Sequence, residues 1–107
     1  VTNSSNQAEF ERRAKALAKL PRAERFDQLL DFPTSYTFKV IGIGPNFWQD
    51  VRTLLDQHNH GGVVLEEKIS SKGKYTSVSF AITVVNGAEI DQMYQSLESL
   101  DKIAYLL

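Results

Sequence analysis

A chain of 107 residues, 42% hydrophobic and 23% charged, suits one domain with a single core. With no cysteine, a disulfide framework, a thiol nucleophile and a Cys-based metal site are excluded. The formal net charge is −1, with six Lys/Arg against three Asp/Glu in residues 1–25 and six against ten in residues 26–107, so the body lacks the general basicity of a bulk nucleic-acid binder.

The polar start VTNSSNQ is followed by AEFERRAKALAKL, which reads as a helix. Asn6 and Glu9 form a capping box, Pro21 is the stop, and Phe10, Ala14 and Leu17 make a thin apolar stripe opposite a basic side. That basic side is expected to dock on the more acidic body. A second short helix, RAERFDQLLDFP, carries Phe26, Leu29 and Leu30 and ends at Pro33. SYTFKVIGI alternates as a strand with Tyr36, Phe38 and Val40 on one face. GPN breaks it, and FWQDVRTLLDQHN resumes as a helix with Phe47, Val51, Leu54, Leu55 and His58 at helical spacing, closed by Gly61 and Gly62. Trp48 falls off this stripe and is expected to pack under the N-terminal helices.

VVLEEKIS reads as an edge strand with Leu65 and Ile69 inward. KYTSVSFAITVV is the strongest strand: Val78, Phe80, Ile82 and Val84 take one face, and Tyr75, Ser77, Ser79, Ala81 and Thr83 the other. Asn86 and Glu89 form another capping box, opening a helix with Ile90, Met93, Tyr94, Leu97 and Leu100 inward. KIAYLL is the last strand. The order β-α-β-β-α-β predicts an α+β, ferredoxin-like sandwich: a four-stranded antiparallel sheet with two helices on one face. Residues 1–33 are assigned to an N-terminal helical extension and 34–107 to the domain.

LLDFPTSYTFKVIG, the helix after it, SSKGKYTSVSFAITV and the closing KIAYLL together resemble the YbeD-like family, small bacterial proteins of unknown function with relatives in plastid-bearing organisms. The resemblance spans roughly residues 28–107. It implies a ferredoxin-like fold similar to the ACT regulatory domains that bind amino acids, and an association with lipoate metabolism by gene neighbourhood. It brings no catalytic residues. ACT domains place their amino-acid contacts in the first strand-to-helix connection with an Asp-x-x-Gly-like pattern; GIGPN has no Asp.

Two stretches are candidate ligand contacts. Gly42, Gly44 and Asn46 lie in GIGPN, where glycines let backbone approach a ligand and the following helix offers free N–H groups. Lys72, Gly73, Lys74 and Tyr75 form the turn of SSKGKYTSVSF, suited to a small anion such as a carboxylate or phosphate. The same residues also read as plain turns, with Asn46 as an N-cap and Gly73 at the hairpin corner. The basic-Gly-aromatic run suggests an RNA-binding strand, but Val78 and Phe80 point inward, and Tyr75 is then the one outward ring, which weighs against nucleic acid. His58 and His60 lack a third ligand at metal spacing. Adjacent Glu66 and Glu67 point to opposite faces of a strand and cannot act as a pair.

The expectation is therefore a non-catalytic regulatory or adaptor domain that needs no cofactor or metal. Its partners would be a protein, a second copy or a small anionic ligand. The alternatives are a single-stranded RNA-binding module and an accessory that recruits an enzyme through its N-terminal helix. Without a signal-peptide pattern or an 18-residue apolar run, no membrane span is expected, and the location is cytoplasmic, or a plastid stroma if a leader is removed.

Overall fold

The computed structural model describes residues 19–107. The amphipathic segment at 8–20, with its Asn6–Glu9 capping box and its expected docking, lies almost wholly outside them. The described elements run α1 (Arg22–Leu29), β1 (Thr34–Ile43), α2 (Phe47–Gln57), β2 (Glu66–Ile69), β3 (Tyr75–Val84), α3 (Gly87–Glu98) and β4 (Ile103–Leu106).

The four strands form one antiparallel sheet in the order β2-β3-β1-β4. The two long central strands pair along their whole length, from Thr34 opposite Val84 to Ile43 opposite Tyr75. Alternation puts Phe38, Val40, Val78, Phe80, Ile82 and Val84 on one face, all buried. From α2 come Phe47, Val51, Leu54 and Leu55, and from α3 come Ile90, Met93 and Leu97, to complete the core. α2 carries the chain from β1 past β3 to β2; α3 carries it from β3 past β1 to β4. These two interleaved crossovers are the ferredoxin-like arrangement, and they leave the other sheet face uncovered.

α1 is packed on α3. A β-carbon at Gly87 would overlap the Ala23 carbonyl, so the two helices meet at the glycine. The Asp27 carboxylate accepts the Gly87 N–H at 2.6 Å, and Arg22 donates to Asp91 and, at 3.3 Å, to Glu98. Beneath α1, Phe26, Tyr36, Phe38, Phe80 and Tyr94 form a continuous aromatic cluster with ring centroids 4.8–6.2 Å apart. The packed body thus includes α1, which lies before the 34–107 span assigned to the domain.

Local details depart from the sequence reading. Asn46 does not cap α2 with its side chain: its backbone sits at φ −104°, ψ 11° rather than in the extended region a capping side chain needs. α2 closes through Asn59 at φ 63°, not through Gly61 and Gly62. The Asn59 N–H donates to the Asp56 carbonyl and the His60 N–H to the Leu55 carbonyl, a Schellman closure. His58 is consequently exposed rather than part of the buried stripe. Trp48 is half-buried against the core; of the N-terminal helices expected over it, α1 packs on α3, and the segment at 8–20 lies almost wholly outside the described residues. β2 is four residues long because Arg52 donates to the carbonyls of Gly61 and Val63 and holds that stretch as a loop. Leu65 packs on the core, but Ile69, opposite Thr76 at the sheet edge, stays 50% exposed. At α3 the expected cap is present: the Asn86 side chain accepts the Glu89 N–H at 3.0 Å.

Candidate functional site

The two candidate stretches meet at one end of the sheet. Ile43 is the last residue of β1 and lies opposite Tyr75, the first of β3. Beyond that pair, the Gly44 N–H donates to the Lys74 carbonyl at 2.8 Å, and the buried Thr76 hydroxyl donates to the Gly44 carbonyl at 2.6 Å. Both backbone polar groups of Gly44 are therefore engaged by the hairpin. Gly44 takes φ 93°, a left-handed conformation that glycine adopts without strain. Gly42 is buried, and Phe47 fills the space a side chain there would need. Asn46 accepts from the Gln49 N–H through its carbonyl, and its exposed side chain makes no capping bond. The structure thus uses Gly42 and Gly44 to close the core and the turn.

The hairpin corner is built on Ser70. Its N–H donates to the Tyr75 carbonyl at 2.8 Å, its hydroxyl accepts the Tyr75 N–H at 3.0 Å, and its carbonyl accepts the Gly73 N–H at 2.8 Å. Gly73 sits at φ 70°, again left-handed. Lys72 and Lys74 are exposed at this corner, with Lys74 Nζ 5.4 Å from the centroid of the Tyr75 ring.

Tyr75 is not alone on the uncovered face. The register sets out three rows across the sheet. The first is Ser70, Tyr75 and Ile43; the second is Lys68, Ser77, Ile41 and Tyr105; the third is Glu66, Ser79, Lys39 and Leu107. In the third row the Leu107 N–H donates to the Lys39 carbonyl at 2.9 Å. Ile41, Lys68, Ser70, Tyr75, Ser77 and Tyr105 line a shallow cleft of about 310 Å³. Tyr105 is 64% exposed and Ile43 52% exposed. A second outward ring corrects the expectation of only one. It was hidden because IAYL is apolar at three of four positions, so periodicity does not assign its faces; the pairing of Ile41 with Tyr105 does, ahead of a register shift at Gly42. Leu106, the next residue, packs on the core, as Ile103 does.

Charge is divided between the two layers. The three helices among the described residues carry Glu24, Asp27, Asp50, Asp56, Glu89, Asp91 and Glu98 against Arg22, Arg25 and Arg52. The uncovered face and its hairpin carry Lys39, Lys68, Lys72 and Lys74 against Glu66. Glu67 lies opposite Val78, on the other face from Glu66, so the two do not converge.

Among the described residues, titratable groups elsewhere form no comparable cluster. His58, His60 and Glu89 line a cleft of about 150 Å³ beside Ile82, seven residues along β3 from Tyr75. A groove of about 460 Å³ between α2 and α3 holds Asp50, His58, Asp101 and Lys102. Among the described residues no group of three or more His, Asp or Glu is placed to hold a metal ion, and no helix is long and apolar enough to cross a membrane.

These features define a small ferredoxin-like α+β domain with one sheet face left open and lined by tyrosines, lysines and hydroxyls. The family model described as "Protein of unknown function (DUF493)" matches residues 27–107, and the chain belongs to that family, which is the YbeD-like group. It is 39% identical over 84 residues to the UPF0250 protein of Idiomarina loihiensis, covering 78% of this chain and 96% of that one. It is 37% identical over 83 residues to the UPF0250 protein of Shewanella amazonensis, covering 77% and 94%. The solution structure of protein HP0495 from Helicobacter pylori superposes with a TM-score of 0.62 at 24% identity, covering 73% of this chain and 85% of that one. That likeness supports the fold.

Proposed function

We propose that the chain is a non-catalytic binding domain, regulatory or adaptor in role, which engages an anionic ligand or partner through its open sheet face and the adjoining hairpin. The observation that carries this reading is the division of charge: lysines gather on the uncovered face while carboxylates gather on the helices. A positive face on a chain of net charge −1 orients an anionic partner toward that face and away from the helices. The apolar floor of Ile41 and the two tyrosines adds contact area that does not depend on charge. The absence of catalysis is part of the proposal. It is supported by the make-up of the face, where lysines, hydroxyls and phenols have no histidine or paired carboxylate among them to act as a base. The face is favoured over the β2 edge as contact surface because that edge carries Glu66, Glu67 and Lys68 in four residues, a pattern that discourages strand addition.

The test is an amide-resolved NMR titration at low salt with two base-free polyanions, a twelve-residue polyglutamate peptide and a short polyphosphate chain. Shifts confined to residues 39–43, 68–77 and 105–107, and lost on Lys39→Glu with Lys68→Glu, are expected. Shifts on the helices, or none anywhere, would sink the reading.

A further inference from the structure

We infer that the open face binds single-stranded RNA, with bases stacking on Tyr75 and Tyr105 and phosphates met by Lys39, Lys68, Lys72 and Lys74. The inference rests on the binding role proposed for this face and names its occupant.

Three observations carry it. First, the two rings stand on β3 and β4, on either side of β1 and one row apart, so their backbones are about 12 Å apart on a diagonal across Ile43 and Ile41. Two outward rings at that separation offer stacking surfaces to two bases of one strand, and stacking is tolerant of base identity because every base has a π-face. Second, the cleft between them is shallow and open, about 310 Å³, and its floor is apolar. A small molecule held there would leave much of its surface in water, whereas ligand pockets enclose most of theirs. An extended strand laid across the rows suits that shape better. Third, the lysines are distributed along the rows rather than at one point: Lys68 in the row of Ile41 and Tyr105, Lys39 in the next, and Lys72 and Lys74 at the hairpin. Such a spread tracks a backbone of regularly spaced charges. Lys74 Nζ lies by one face of the Tyr75 ring, so a cation sits beside a stacking position. Glu66 is the opposing charge; it shares the third row with Lys39, two strands away, and is two rows from Tyr75. The outward hydroxyls of Ser77 and Ser79 within these rows can pair with ribose 2′-hydroxyls, which favours RNA over DNA.

The experiment is fluorescence anisotropy of the full chain with a labelled twelve-nucleotide oligouridine at 50 and 200 mM salt. Four phosphate contacts on a single strand predict a loss of roughly fiftyfold between those salts. Tyr75→Ala and Tyr105→Ala should each weaken binding about tenfold, while Tyr75→Phe and Tyr105→Phe keep it. Lys68→Ala should weaken it and flatten the salt dependence. Unchanged helix-face amide shifts verify that each variant is folded. Alanine variants that bind as the parent does, polyphosphate or polyglutamate binding as tightly as oligouridine, or equal affinity for oligothymidine overturn the assignment to RNA. They leave the anion-binding face standing. If no anion perturbs the face, both proposals fall together.

Discussion

Gly42 and Phe47 are packed so closely that any β-carbon at position 42 would overlap the Phe47 ring. Both residues are buried, and Gly42 is held opposite Thr76 in the β1–β3 ladder, so the backbone cannot retreat. Gly42→Ala should therefore destabilise the fold by about 1–3 kcal/mol, the usual range for overpacking. Urea unfolding would measure it. In a Phe47→Ala background the same substitution should lose most of its effect, because the ring it strikes is gone. An equal loss in both backgrounds would mean the glycine answers to backbone conformation instead.

That relationship also marks what the sequence conceals. GIGPN reads as a turn that lets backbone approach something, and it does: the approached group is a side chain of the same chain five residues on. Strand faces on β1 and β3 were legible because ten residues of alternation repeat the signal five times. β4 is four residues long and nearly all apolar, so Tyr105 became a site residue only through its pairing with Ile41. The division of charge between layers was invisible for a related reason. A running charge balance mixes strand and helix residues, and Lys39 and Lys68 come to one face only when the sheet is assembled.

Tyr94 predicts a pH effect. Burial first, and then the 2.8 Å hydroxyl contact with Tyr36, push its ionisation above the ordinary tyrosine value of 10.0. A raised folded-state value means this contribution to stability is complete below pH 10 and is lost as pH climbs beyond it. The slope should be shallower than the limiting figure of about 1.4 kcal/mol per pH unit, because Tyr94 is only half-buried and partly screened. Urea midpoints from pH 8 to 11.5 should fall more steeply for the parent than for Tyr94→Phe. At pH 8 the variant should be the weaker by about 1 kcal/mol for its lost hydrogen bond. Parallel curves would remove Tyr94 from the alkaline transition.

Asp27 holds α1 to the body through the Gly87 N–H, a buried donor at the start of α3. Asp27→Ala strands that donor and removes a charge-assisted bond, at a cost of about 1.5–3 kcal/mol. Asp27→Asn keeps an oxygen at the same place and should recover part of it. Hydrogen exchange offers the sharper readout. Protection in residues 22–29 should drop while β1 and β3 keep theirs, because α1 can open without disturbing the central ladder. Uniform loss across the domain would show instead that α1 and the sheet unfold as one unit.

Thr76 ties the two connections at the site end together. It is fully buried, and its hydroxyl donates to the Gly44 carbonyl at 2.6 Å. Thr76→Val preserves the volume but removes the donor and leaves an apolar methyl against that carbonyl, which should destabilise by about 1–3 kcal/mol. Thr76→Ser retains the hydroxyl and gives up only a methyl, so it separates the hydrogen bond from packing: about 1 kcal/mol is expected from the lost methyl. The local consequence follows from Gly44's other bond. With its carbonyl released, the turn rests on the 2.8 Å contact from the Gly44 N–H to the Lys74 carbonyl, so exchange of the Gly44 amide should quicken ahead of the β1–β3 amides. Lys74 and Tyr75 belong to the proposed contact surface, and loosening their anchor should raise the dissociation rate of an anion bound there. Unchanged Gly44 exchange in Thr76→Val would show that the hairpin positions these two side chains without help from the β1–α2 connection.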